Sequence, residues 1–157
     1  MAFACSYEVQ DFQLVQQLAG EEWPTLREDL LESVKQFPAH QQLEIYLYER
    51  MASEAMAVVD GGGDGWGYWD KGPLARVLEL TGAEYPDWTV AQAKRQADRI
   101  MEEGKAAYYA DAVVWLRRVR DVYLAHDRRQ EWNECLAAIR TRHGRKYKLM
   151  GLLREFA

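Results

Sequence analysis

Along most of this chain apolar residues return every three or four positions, the period of a helix buried on one side. The pattern is clearest from Tyr108 to Phe156. Tyr109, Ala112, Leu116 and Val119 fall at steps of three, four and three, and Trp115, Val122 and Tyr123 widen that stripe. Asp127 with Gln130 has capping-box spacing and predicts the start of the next helix. In that helix Trp132, Leu136 and Ile139 share a face, with Cys135 beside them. Gly144 separates it from a last helix carrying Leu149, Leu152, Leu153 and Phe156. A full stripe there must be covered, so the end of the chain is expected to be docked. Trp115 and Trp132 are read as core anchors.

Earlier segments repeat the pattern with shorter helices. Tyr7 to Ala19 reads as the first, with Val9, Phe12, Val15 (or Gln16) and Leu18 as a loose stripe and Gly20 as its stop. Thr25 and Glu28 have capping-box spacing ahead of Leu26, Leu30, Val34 and Phe37. His40 to Arg50 carries Leu43, Tyr46 and Leu47, and Ser53 is placed to cap a short helix with Ala57 and Val58. Two short helices meeting at Arg50–Ser53 predict a helix hairpin. Pro73 opens a helix with Leu74, Val77 and Leu78 that Gly82 ends. Asp87 or Thr89 is placed to cap the next helix, Thr89 with Gln92 at capping-box spacing, before a narrow face of Ala93, Ala97 and Ile100. Small faces let helices approach closely.

One stretch breaks the period. Residues 60–72, DGGGDGWGYWDKG, are crowded with glycine and predict a loop. Within it Trp66, Tyr68 and Trp69 either fold back between helices or form an exposed aromatic contact for a partner. The acids Asp60, Asp64 and Asp70 lack the register and closing Glu of a calcium loop. The glycines lack the Lys-Ser/Thr ending of a phosphate-binding loop.

Composition agrees with helix. The 157 residues are 48% hydrophobic and 29% charged, with few β-branched residues, as in an ordinary globular chain of one domain. Pro24, Pro38, Pro73 and Pro86 all fall where a helix starts or ends. No apolar run approaches a membrane span, and the N-terminus has neither the basic nor the apolar region of a secretory signal. Cys5 and Cys135 stand far apart and are expected to be reduced thiols, which places the chain in the cytoplasm. The net charge of −5 hides an asymmetry. From Arg117 to Ala157 there are eleven Lys/Arg and five Asp/Glu, net +6; the remaining nine and twenty give −11.

Three pieces carry a resemblance: EWPTLREDLLESV, then LEIYLYERMASEAMAVV, then YADAVVWLRRVRDVYLAHDRRQEWNECLAAIRTRHGRKYKLMGLL. The chain resembles, from about Glu21 to Leu153, the helical C-terminal region of bacterial proteins that carry a SWIM zinc finger upstream. The resemblance implies an all-α fold: a short right-handed α-solenoid of antiparallel helix hairpins, similar to tetratricopeptide repeats. It also implies a role in contacting other macromolecules and brings no activity with it. The Cys-x-Cys and Cys-x-His pairs of the finger are absent, so no zinc, and no cofactor of any kind, is expected.

Chemistry adds two candidate surfaces. Arg140, Arg142, His143, Arg145, Lys146 and Lys148 lie across the last interhelical turn, and with Tyr147 they suit a polyanion. Trp66, Tyr68 and Trp69 suit a protein partner. No Ser, Cys or carboxylate is spaced to make a triad with His126 or His143, and adjacent acid pairs such as Glu102/Glu103 point to different helix faces. A pocket joining either histidine to a strongly perturbed carboxylate would be the sign of an enzyme. The expectation is a single helical-repeat domain that binds a protein and catalyses nothing. The alternative is a nucleic-acid accessory protein using the basic C-terminal hairpin. A second copy of the chain is one candidate partner, and a membrane is not.

Overall fold

The computed structural model describes residues 8–62 and 72–156, and every described element is helical. The aromatic cluster Trp66, Tyr68 and Trp69 lies outside the described residues. The chain forms two compact units, Met1–Trp66 and Gly67–Ala157, with the boundary inside the glycine-rich stretch.

The first unit holds α1 (Val9–Ala19), α2 (Trp23–Val34), α3 (Ala39–Tyr48) and α4 (Ala52–Gly61). A 3-10 turn, Gly20–Glu22, joins α1 to α2, and Gly20 takes the positive φ that an L side chain resists. Phe12 is the centre of α1. It is fully buried and meets Trp23 edge-on at 5.3 Å and Tyr48 at 6.2 Å. Tyr48 Oη donates to Gln16 Oε1 at 2.6 Å, and Arg27 pairs with Glu49 at 2.5 Å. After α2, Gln42 Nε2 donates to the Phe37 carbonyl at 2.6 Å and so satisfies one group freed by the Pro38 turn. Leu18, expected on the buried stripe, is instead 78% exposed. It follows Phe12 by six residues, which turns it about 240° away from that side of the helix.

The second unit holds α5 (Pro73–Thr81), α6 (Pro86–Glu103), α7 (Tyr109–Ala125), α8 (Arg129–His143) and α9 (Tyr147–Leu152), followed by a 3-10 turn, Leu153–Phe156. Helix α7 is its axis: α6, α8 and α9 all pack on it, α6 most extensively. The expected faces are the buried ones. Tyr109, Ala112, Trp115, Leu116 and Val119 of α7 are buried, as are Ala93, Ala97 and Ile100 of α6. The end of the chain is docked. Phe156 meets Trp132 edge-on at 5.1 Å, Arg120 lies over the Phe156 ring, and Arg117 grips Glu155 through two bonds of 2.5 and 2.9 Å.

All four expected side-chain caps are absent. Helix α2 starts at Trp23 with Pro24 in its first turn, and α6 starts at Pro86, so Thr25, Asp87 and Thr89 fall inside. Proline fixes the helical φ and lacks an N–H, so it opens a helix without a cap. Ser53 falls within the first turn of α4, whose N-cap Met51 makes no side-chain bond. Asp127, expected to cap α8, has φ +58. The helix α4 also runs two residues into the expected loop, ending at Gly61.

Arg50 and Asp127 are the two non-glycine residues with positive φ among those described, and they do the same thing. At the end of α3, Arg50 N–H donates to Leu47 O at 3.2 Å and Met51 N–H to Tyr46 O at 2.8 Å. At the end of α7, Asp127 N–H donates to Leu124 O at 3.2 Å and Arg128 N–H to Tyr123 O at 2.8 Å. Both are Schellman closures on a Tyr-Leu pair. Beyond each, the next helix buries residues at the same offsets from the tyrosine: Ala55 and Val59 in α4, Trp132 and Leu136 in α8.

Candidate functional site

The basic run is dispersed by the fold. His143 closes α8 and is only 4% exposed, with Nε2 3.8 Å from Glu102. Burial pushes its imidazole pKa down, Lys146 and Arg142 add to that, and Glu102 and Asp98 oppose it. Arg142 pairs with Glu102 at 2.7 Å. Lys146 donates to the Met101 carbonyl in the last turn of α6, where a cation also meets the negative end of the helix dipole. Arg140 donates to the Leu153 carbonyl at 3.2 Å. Arg145 and Lys148 stay exposed with no ion pair among the described residues, and Tyr147 between them is 85% exposed. The arginines of α7 are also engaged: Arg117 with Glu155, Arg118 with Glu79 and Arg120 with Asp121. Arg117, Arg118, Arg140, Arg142 and Lys146 thus each reach from one element of the second unit to another.

His143 and His126 line different depressions. His143 borders a dimple of about 160 Å³ with Lys94, Asp98, Cys135 and Arg142. Burial raises both the Asp98 carboxyl and the Cys135 thiol, Lys94 opposing in each case. Cys135 and His143 are eight residues apart on one helix, roughly 12 Å along its axis. At that spacing the imidazole is not placed to take the thiol proton, and burial favours the protonated thiol. The dimple lacks an activated nucleophile. Among the described residues no cluster of His, Cys, Asp and Glu is arranged to hold a metal ion.

His126 borders a larger cleft of about 410 Å³ where the α5–α6 turn meets α7. At Gly82 a Cβ would lie 3.3 Å from Leu78 O of its own helix, closer than usual, and 3.5 Å from Val122 Cγ2 of α7, an ordinary contact. His126 Nε2 is 2.9 Å from the Gly82 carbonyl, which requires the proton on Nε2. Beneath the turn the buried hydroxyls of Thr81 and Thr89 lie 2.8 Å apart and donate to Val77 O and Tyr85 O or to each other. Leu78, Val122 and the exposed Ala83 and Ala125 are its apolar lining, and Glu79, Arg118 and Asp121 its charged lining. The sequence singled out neither the cleft nor Gly82 beyond its helix-stopping role. The cleft joins residues from two helices and a turn, and no local spacing announces it.

Among the described residues no helix is long and apolar enough to cross a membrane. Compared with known proteins, the chain matches no family model, no curated protein and no solved structure.

Proposed function

We propose that this chain is a non-enzymatic helical-repeat module that binds another protein. The repeated hairpin carries the reading. Two helix pairs close through the same Tyr-Leu Schellman turn and bury matching positions beyond it. Repetition of one supersecondary unit is how α-solenoids are built, and such proteins work through their surfaces. On this reading the hairpins stack as a short right-handed solenoid similar to tetratricopeptide repeats. The chain then works in the cytoplasm, in the manner of the helical region of the SWIM-associated proteins it resembles.

Affinity capture from a native extract, with and without nuclease, tests this. A protein recovered in stoichiometric amount under both conditions is expected. Recovery of nucleic acid alone, lost on nuclease treatment, would replace the reading with a nucleic-acid accessory role. Exposed Arg145, Tyr147 and Lys148 are the observation that keeps that second reading alive. It predicts a salt-dependent oligonucleotide shift abolished by Arg145→Glu with Lys148→Glu.

A further inference from the structure

The cleft beside Gly82 supplies a more specific statement, which rests on the protein-binding reading. Part of its lining is apolar and its volume, about 410 Å³, lies in the range of roughly 300–1,000 Å³ usual for ligand sites. It exists because Ala83 and Ala125 are small and exposed at its edges; a larger side chain at either would fill it. The charge at its mouth is uneven. The side chains of Glu79 and Asp121 are 67% and 64% exposed, while their arginine partners Arg118 and Arg120 are only 24% and 31% exposed. Glu84, next to Ala83, is exposed as well. What an approaching molecule meets first is therefore carboxylate. The Arg118–Glu79 contact is long for an ion pair, at 3.3 Å, and its carboxylate is two-thirds exposed, so it contributes little and Glu79 can accept from an incoming cation at small cost.

We propose that this cleft receives a peptide segment of the partner protein in which a bulky apolar side chain is flanked by lysine or arginine. The apolar side chain covers Leu78, Val122 and Ala125, and the basic one reaches Glu79 or Asp121. Burying the apolar anchor supplies affinity, and the carboxylates select against acidic segments.

The test uses the full chain and random twelve-residue displayed peptides. The expected winners pair an aromatic or branched apolar residue with Lys or Arg. By fluorescence polarisation, Ala125→Trp, which fills the cleft from an exposed position, is expected to weaken them about tenfold or more. Glu79→Lys with Asp121→Lys is expected to weaken them as well and to remove most of the salt dependence. Circular dichroism checks that both variants fold. Winners that bind Ala125→Trp unchanged would overturn the cleft as the site while leaving the protein-binding reading standing. Acidic winners, or no enrichment at all, would overturn the proposed ligand chemistry. The capture experiment would then decide the broader reading by itself.

Discussion

The two units close a helix hairpin in the same way and differ in almost everything else. In the first, the fully buried large side chains are Phe12, Val34, Leu43 and Ile45, while Leu26, Leu30 and Leu47 are only partly covered. In the second, the fully buried set runs from Leu74 and Val77 through Ile100, Met101, Trp115 and Leu116 to Leu149 and Leu153. Charge divides them too. Residues 1–66 hold three Lys/Arg and twelve Asp/Glu, net −9, and residues 67–157 hold seventeen and thirteen, net +4. The comparison separates two levels of organisation. Backbone closure is local and survives a change of surroundings. Core depth depends on how many helices share one axis, and among the described helices α7 has three others packed on it.

Truncating the two central aromatics sharpens this contrast most. Trp115→Ala is expected to cost about 3–5 kcal/mol, because its site is walled by buried side chains that cannot collapse. Phe12→Ala is expected to fall at the low end of that range, since its half-buried neighbours can move in. Urea titrations, followed by hydrogen exchange to locate the loss, measure both. Equal losses would mean that the first core is as well packed as the second. Without mutation, exchange should be slowest in α7 and faster throughout α1–α4.

A smaller effect is expected from Lys146→Met, which keeps the stem and removes the donor to Met101 O. The loss should be about 1–2 kcal/mol, with faster exchange at the end of α6. An unchanged α6 would leave Lys146 as an ordinary surface cation.

Acid should weaken the second unit through His143. Its folded pKa lies below the ordinary value, so the unfolded chain takes up the proton first. Stability present above about 6.5 is lost as pH falls from there toward the depressed folded value. Asp98, raised by burial, acts the other way further down, above the usual aspartate value of about 3.9. Denaturation midpoints at pH 7.5 and 5.5 should therefore differ in the wild type and converge in His143→Gln. A difference that persists in the variant would move the effect to another group.

The smallest expected change is a gain. Arg50→Gly relieves an L side chain held at φ +57 and is expected to stabilise by up to about 1 kcal/mol. Asp127→Gly should gain less, because aspartate tolerates that region better.

These residues also show what was legible in the chain. The period of three and four placed Tyr109, Ala112, Leu116 and Val119, because one buried face repeats with the helix itself. Helix starts were misread wherever Thr25, Ser53, Thr89 or Asp127 had the composition of a cap. Proline in the first turn or a left-handed closing residue had already settled the backbone there. The Schellman closures were hidden because Arg50 and Asp127 occupy positions that glycine usually marks. The basic run looked like one surface because sequence proximity does not reveal that His143 turns inward or that Lys146 reaches α6.

The most direct test of the repeated hairpin is the backbone of Arg50 and Asp127 in solution, read from Cα and Cβ chemical shifts. The account predicts left-handed values at both, helical values on either side, and slow exchange of the Met51 and Arg128 amides. Right-handed or extended values at either residue, with fast exchange of the following amide, would contradict it.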